Sequence, residues 1–163
     1  DKIGKKNFHF NFAGKFFNDN DKEEFFNYIN KNNLNDFITY HGIVNGKEKK
    51  ELLKKSDIFI LLTTYPKEGQ PISILEAMGN GMVIVTTKHA GIPDVVKDNV
   101  NGIVTSNQSN TKQIYDKINE FSYEYIRGVC IENNLKVKKE FSQDKYISSI
   151  KEMFMEVARN EKN

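Results

Sequence analysis

Glu68-Gly-Gln-Pro-Ile-Ser-Ile-Leu-Glu76-Ala-Met-Gly-Asn-Gly-Met-Val-Ile-Val85 is the stretch on which the fold turns. It opens in a Gly/Pro turn, passes into an apolar helical pattern and ends in a β-branched run. Gly69 and Pro71 break regular structure just after the apolar run Ile58 to Leu62. Pro71 suits the first position of a helix, where its missing N–H costs nothing. Ile72, Leu75, Ala77, Met78 and Met82 then fit a helix buried over much of its surface. Gly79 and Gly81 end it or let it pack close to a strand. The amides near Gln70, Ile72 and Ser73 point out of the helix start, and with the helix dipole they make an anion site suited to phosphate. Glu76, about one and a half turns in, can accept hydrogen bonds from a diol, and Glu68 stands across the turn. Either glutamate alone reads as an ordinary surface residue, because exposed Glu is the norm. Together with the turn, helix and strand they describe a cradle for a polyhydroxylated, diphosphate-bearing ligand.

Outward from this unit the chain alternates between strand and helix. Strands are expected at residues 8–13, 37–40, 58–63, 82–86 and 102–104, and helices at 21–33, 46–55, 111–121, 123–139 and 143–160. The continuous apolar run at 58–63 reads as a strand buried on both faces. Alternating β and α units imply an α/β fold: a doubly wound, parallel, Rossmann-like sheet with right-handed crossovers. Ligands of such sheets bind outside the carboxyl ends of the strands, and Gly14, Gly42 and residues 65–73 and 89–93 all fall at that edge.

Composition narrows the partners. The 163 residues are one domain's worth of chain, with 24 basic and 22 acidic side chains and a net charge of +2, too balanced to argue for nucleic acid. The lysine runs at 47–50 and 136–139 read as solvated helix faces, with a weak membrane-surface or partner contact as the alternative. The single cysteine, Cys130, excludes an internal disulfide and fits a reducing compartment. No run approaches a membrane span and none reads as a signal peptide, so a cytoplasmic setting is expected, with peripheral attachment at the inner face of a membrane left open. His9, His41 and His89 are not spaced like metal ligands. His9 and His41 sit in strands and read as structural, whereas His89, in a loop at the ligand edge, is a candidate for touching substrate. Asp19-Asn-Asp21 is the nearest spelling of a metal-binding D-x-D, but it opens a helix and reads as a cap. No G-x-G-x-x-G follows the first strand, and no G-x-S-x-G or P-loop is present.

The stretch 68–85 resembles the signature E-G-x-P-x-x-x-x-E-A-M-A-x-G-x-P-V-V of the retaining, two-Rossmann-domain (GT-B) glycosyltransferases, in particular glycosyltransferase family 4. Flanking segments extend the resemblance over roughly residues 8 to 106: Phe12-Ala-Gly-Lys15, Ile38-Thr-Tyr-His-Gly42, Ser56-Asp-Ile-Phe-Ile-Leu-Leu62, Ala90-Gly-Ile-Pro-Asp94 and Asn101-Gly-Ile-Val104. The chain departs from the pattern at Gln70, where an aromatic residue is usual, at Met82, where Pro is usual, and at Asp94, where Glu is usual.

The resemblance implies a donor-binding domain for a nucleotide-diphosphate sugar, with a UDP-sugar the expected donor and no metal or other cofactor. Glu76 would bind the ribose hydroxyls. Glu68 would act at the donor sugar as the catalytic carboxylate. The amides of Gly69, Gln70, Pro71's neighbour Ile72, and Ser73 would meet sugar hydroxyls and phosphate. Gly42 and Ile43 would lie beside the base, and Gly14 would let the donor approach the first strand end. It further implies that residues 1–163 form one domain with a helical tail at about 111–160, lacking the amino-terminal acceptor domain and a first strand-helix unit whose basic pair normally faces the diphosphate. The only arginines, Arg127 and Arg159, lie in the tail, so the chain alone is expected to be inactive. Hexose transfer with retention, in polysaccharide or glycolipid synthesis, is the implied activity. A non-catalytic nucleotide- or glycan-binding module, a sugar-nucleotide epimerase and a phosphorylase-type enzyme are the alternatives. The stripe Tyr146, Ile150, Phe154 and Val157 on the last helix is expected to pack on this domain's core, or to be exposed in part where GT-B enzymes return their terminal helix to the first domain.

Overall fold

In the computed structural model, which describes residues 8–106 and 111–160, five strands pair in parallel, each pairing spanning a helical connection. β1 (Phe10–Ala13) pairs with β2 (Ile38–Gly42) across α1 (Asp19–Lys31). β3 (Ile58–Leu61), β4 (Val83–Thr87) and β5 (Gly102–Thr105) follow in order, with α3 (Ile72–Gly79) and α4 (Ile92–Val95) as connections. The α/β class with parallel strands is as the sequence pattern implies, but the strands form a pair and a triple rather than one run of five. The chain divides into two compact units, up to Leu52 and from Leu53 onward, the division falling inside α2 (Gly46–Lys54).

The first unit is held by aromatic side chains. Phe25 of α1 meets Phe12 of β1 edge-on at 5.0 Å, and Tyr40 of β2 lies 5.0 Å from Phe16 and 5.8 Å from Phe26, ring centre to ring centre. Such pairs contribute about 0.5–1.5 kcal/mol each beyond simple burial. His9 Nε2 lies 2.9 Å from Thr39 Oγ1, and His41 Nε2 2.8 Å from Asn11 Oδ1. Both histidines therefore tie the two strand segments together, which is the structural role expected of them. The cap of α1 is Asn18, whose side-chain oxygen accepts the Asp21 N–H at 2.8 Å. Asp19 and Asp21 are first-turn residues favoured by the helix dipole, so the cap lies one residue before the expected one.

The second unit is built around β4, where every residue from Val83 to Thr87 is buried. Alternation sends Ile84 to one face, into a cluster with Ile74, Ala77 and Met78 of α3 and Ile92 and Val95 of α4. Val85 faces the other way, onto Ile103 and onto Ile114 of α5 (Thr111–Asn119). The expectation that residues 58–63 form a strand buried on both faces is corrected: among the described residues β3 pairs with β4 alone, its residues are at most half-buried and Ile60 is 40% exposed. The helix ends at Gly79, as the glycines at 79 and 81 imply. Asn80 turns its side-chain N–H back onto the Glu76 carbonyl at 2.8 Å, and Gly81 takes φ +78°, a left-handed conformation that glycine adopts without strain. α4, four residues long, falls in a segment read from the sequence as loop.

α6 (Tyr123–Glu140) lies against α3 and β4. Its Cys130 is half-buried, and burial, with a smaller contribution from the Asp57 carboxylate, pushes the thiol's pKa above its ordinary value. α7 (Gln143–Asn160) keeps most of its apolar stripe exposed: Tyr146, Phe154 and Val157 are 69%, 65% and 52% accessible and Ile150 is half-buried, so of the two expectations partial exposure holds and packing on this domain's core does not. Among the described residues no helix is long and apolar enough to cross a membrane.

Candidate functional site

The start of α3 carries most of the residues singled out in the sequence. Pro71 stands at the N-cap with φ −61° and ψ 117°, one position before its expected place, and is buried. Its carbonyl accepts the Ile74 N–H at 3.1 Å. The amides of Ile72 and Ser73 precede that first bond and lead out of the helix start. The surface there is open: Gly69 and Gln70 are exposed, and Ile72 is 72% accessible. Glu76 is the fifth residue of α3 and half-buried, while its neighbours Ala77 and Met78 are completely buried. The apolar face of the helix thus anchors it in the core and fixes where Glu76 stands relative to the leading amides.

Glu68 is held by a turn whose geometry follows from its sequence. Tyr65-Pro66-Lys67-Glu68 closes with the Glu68 N–H donating to the Tyr65 carbonyl at 3.0 Å, and Pro66 occupies the turn position its fixed φ favours. Thr63 braces the turn from below. Its hydroxyl accepts the Tyr65 N–H at 3.1 Å and donates to Glu68 Oε2 at 3.4 Å. The end of β4 holds the same loop: the Thr87 hydroxyl donates to the Thr63 carbonyl. Beyond it, His89 Nε2 lies 2.7 Å from the Tyr65 carbonyl oxygen, and the Gly91 N–H donates to the Gly69 carbonyl at 3.0 Å. His89, expected as a candidate for touching substrate, therefore commits that ring nitrogen to the backbone of the Glu68 turn.

The structure thus brings Glu68, Gly69, Gln70, Pro71, Ile72, Ser73 and Glu76 together at the carboxyl end of β3 and the start of α3. Thr87 joins them without having been singled out, and Thr63 and Gly91, read only as parts of a strand and of the ligand edge, join them too; each acts through a hydrogen bond to a distant part of the sequence. Gly14, Gly42 and Ile43 belong to the first unit and are brought together there. The Gly14 N–H donates to the Gly42 carbonyl at 2.7 Å, and the Tyr40 hydroxyl donates to the Gly14 carbonyl at 2.8 Å. Gly14 and Gly42 take φ +143° and +66°, in the region that favours glycine. Ile43 is 64% exposed just past the end of β2. Among the described residues no three His, Cys, Asp or Glu side chains cluster so as to hold a metal ion.

Chemically, the α3 start offers aligned amides and a positive dipole end to an anion, flanked by two carboxylates able to accept hydrogen bonds from hydroxyls. Comparison with known proteins gives the family and the fold. The family model described as Glycosyl transferases group 1 matches residues 2–137. The chain is 29% identical over 122 residues to WcaL of Salmonella typhimurium, a glycosyltransferase named for colanic acid biosynthesis, covering 71% of this chain and 30% of that protein. It is 37% identical over 73 residues to the amylovoran biosynthesis glycosyltransferase AmsK of Erwinia amylovora, covering 42% of this chain and 18% of that protein. The chain therefore spans less than a third of the length of these relatives. In fold it is similar to a glycosyltransferase from Rickettsia africae, with a TM-score of 0.76 at 19% identity over 98% of this chain and 42% of the other. It is also similar to Anabaena HepE in complex with UDP-glucose, with a TM-score of 0.72 at 18% identity over 90% of this chain and 40% of the other.

Proposed function

From the premise that the chain belongs to the Glycosyl transferases group 1 family, we propose that it is the donor-binding part of a retaining hexosyltransferase of glycosyltransferase family 4. The reaction moves a hexose from a nucleoside diphosphate, UDP in the first instance, to an acceptor hydroxyl. The observation that carries this reading is the placement of Glu68 and Glu76 on either side of the exposed start of α3. Glu76 takes the ribose diol. The amides from Gly69 to Ser73 take the diphosphate and sugar hydroxyls, and they stabilise the negative charge that grows on the diphosphate as it departs. Glu68 orients the donor sugar and offsets the positive charge developing on it. In the first unit, taken by itself, Gly42 and Ile43 offer an apolar surface to the base, and Gly14 leaves room at its strand end.

The relatives support the setting, since two of them are named for colanic acid and amylovoran biosynthesis, and HepE holds UDP-glucose in its crystal structure. The acceptor domain and a basic strand-helix unit belong to the remainder of a longer protein, which works in the cytoplasm or at the inner face of a membrane. The exposed stripe of α7 is the surface this reading gives to that remainder. No metal enters the proposed chemistry. The test is proton NMR of the product formed by the full-length protein from UDP-glucose. An α-configured glycoside, lost with Glu68→Gln, is expected; a β-configured product contradicts retention, and an unaffected Glu68→Gln contradicts the role of Glu68.

A further inference from the structure

The loop after β4 reaches back to the Glu68 turn at two points 22 residues or more away in sequence. The Gly91 N–H donates to the Gly69 carbonyl at 3.0 Å, and His89 Nε2 lies 2.7 Å from the Tyr65 carbonyl oxygen. That oxygen is also the acceptor for the Glu68 N–H at 3.0 Å. A carbonyl oxygen only accepts, so His89 must carry its proton on Nε2 and donate. One oxygen thus receives two donors, and the imidazole is a single atom removed from the backbone of Glu68.

The ring itself is fixed from its own backbone. The His89 carbonyl accepts the Ile92 N–H that opens α4 at 3.1 Å, and the following residue, Ala90, takes φ +46°, a left-handed conformation uncommon for a residue with a side chain. Gly91 approaches so closely that an added Cβ would stand 3.3 Å from the Gly69 carbonyl oxygen. A loop held in this shape places one side-chain donor and one backbone donor on the two ends of the segment Tyr65–Gly69, which carries Glu68 between them.

We propose that His89 is a positioning residue for Glu68: it fixes the turn through the Tyr65 carbonyl and thereby sets the Glu68 carboxylate against the donor sugar, without contacting substrate through Nε2. The proposal rests on the reading of Glu68 as the donor-sugar carboxylate. It separates His89 from Glu76, which acts on the nucleotide and stands on α3, outside the clamped turn. His89 should therefore matter for a sugar-bearing ligand and not for the bare nucleotide.

Two measurements on the whole chain test this. The first needs no ligand. Nitrogen-15 NMR of the His89 ring should show the Nε2–H tautomer, and the Glu68 amide resonance should move in His89→Ala and return in His89→Gln, whose amide N–H can donate from a similar position. The Nδ1–H tautomer, or a Glu68 amide indifferent to His89→Ala, overturns the proposal. The second is calorimetric titration with UDP and with UDP-glucose. His89→Ala should weaken UDP-glucose about fivefold, the scale of one lost hydrogen bond, while UDP changes less than about twofold. His89→Gln should recover most of the loss, and His89→Ala should add nothing on a Glu68→Ala background. Equal losses for both ligands, or additive effects of the two substitutions, overturn it. If the wild-type chain binds neither probe, the same titrations on the full-length protein decide: no binding there overturns the donor-site reading for UDP ligands, and the NMR result alone then decides the claim about His89.

Discussion

The Thr63 hydroxyl and the Glu68 carboxylate stand 3.4 Å apart, with the same hydroxyl accepting the Tyr65 N–H at 3.1 Å. One small side chain therefore bears on both the entrance of the turn and the carboxylate at its end. Thr63→Val keeps the shape and removes the hydroxyl. Sugar transfer by the full-length protein should fall about fivefold to tenfold, the scale of one ordinary hydrogen bond as befits the 3.4 Å contact, with affinity for the bare nucleotide unchanged. Steady-state kinetics beside a nucleotide titration checks the split.

Asn133 is completely buried in α6 and donates to the carbonyls of Met82 at 2.9 Å and Asn101 at 3.0 Å. It joins the approach to β4 to the approach to β5. Asn133→Leu leaves both carbonyls buried without that donor, at a cost of about 2–3 kcal/mol. Thermal unfolding should shift down by roughly 5–10 °C. Far-ultraviolet circular dichroism on heating measures it.

Gly102 opens β5 directly against β4. A Cβ there would run into the backbone carbonyl of Ile84 and stand 2.9 Å from a methyl of Val96. The carbonyl belongs to a buried strand and cannot move aside, so Gly102→Ala should destabilise the second unit by about 2–4 kcal/mol, in the range of overpacked cores. The same substitution at Gly128, where an added Cβ meets nothing within 4 Å, should be neutral or slightly stabilising in its helix. Denaturant melts of the two variants side by side check the contrast.

The raised pKa of the Cys130 thiol, from burial first and the Asp57 carboxylate second, keeps it protonated to higher pH than a free thiol. Alkylation by iodoacetamide should lag behind that of free cysteine at the same pH. The sign for stability follows: the protonated thiol is favoured in the fold, so its contribution is whole below the unfolded thiol's pKa and fades as pH rises through the folded one. Cys130→Ser should flatten that alkaline loss.

The parts of the structure legible in the sequence are those fixed by local pattern. β4 was readable because Met82 to Thr86 is an unbroken β-branched and apolar run, and such a run has no solvated face to offer. The start of α3 was readable because Gly69 and Pro71 punctuate the chain just before a helical period. What stayed hidden depends on neighbours remote in sequence. An apolar run such as Ile58 to Leu61 looks the same in a central strand and at an edge, and only the pairing shows that among the described residues β3 has a partner on one side. Thr87 and His89 sit 24 residues from the carbonyls they bind, and nothing in their local sequence names those partners. The stripe on α7 announces an amphipathic helix, but a period of apolar residues does not say what covers it.

The most direct test of the account is calorimetric titration of this chain with UDP, GDP and ADP, repeated on Glu76→Ala. The account predicts saturable binding of one nucleotide, UDP first, with the affinity falling at least about tenfold in Glu76→Ala as a charge-assisted contact to the ribose is lost. Binding that survives Glu76→Ala unchanged, or no binding of any of the three by either the chain or the full-length protein, would contradict it.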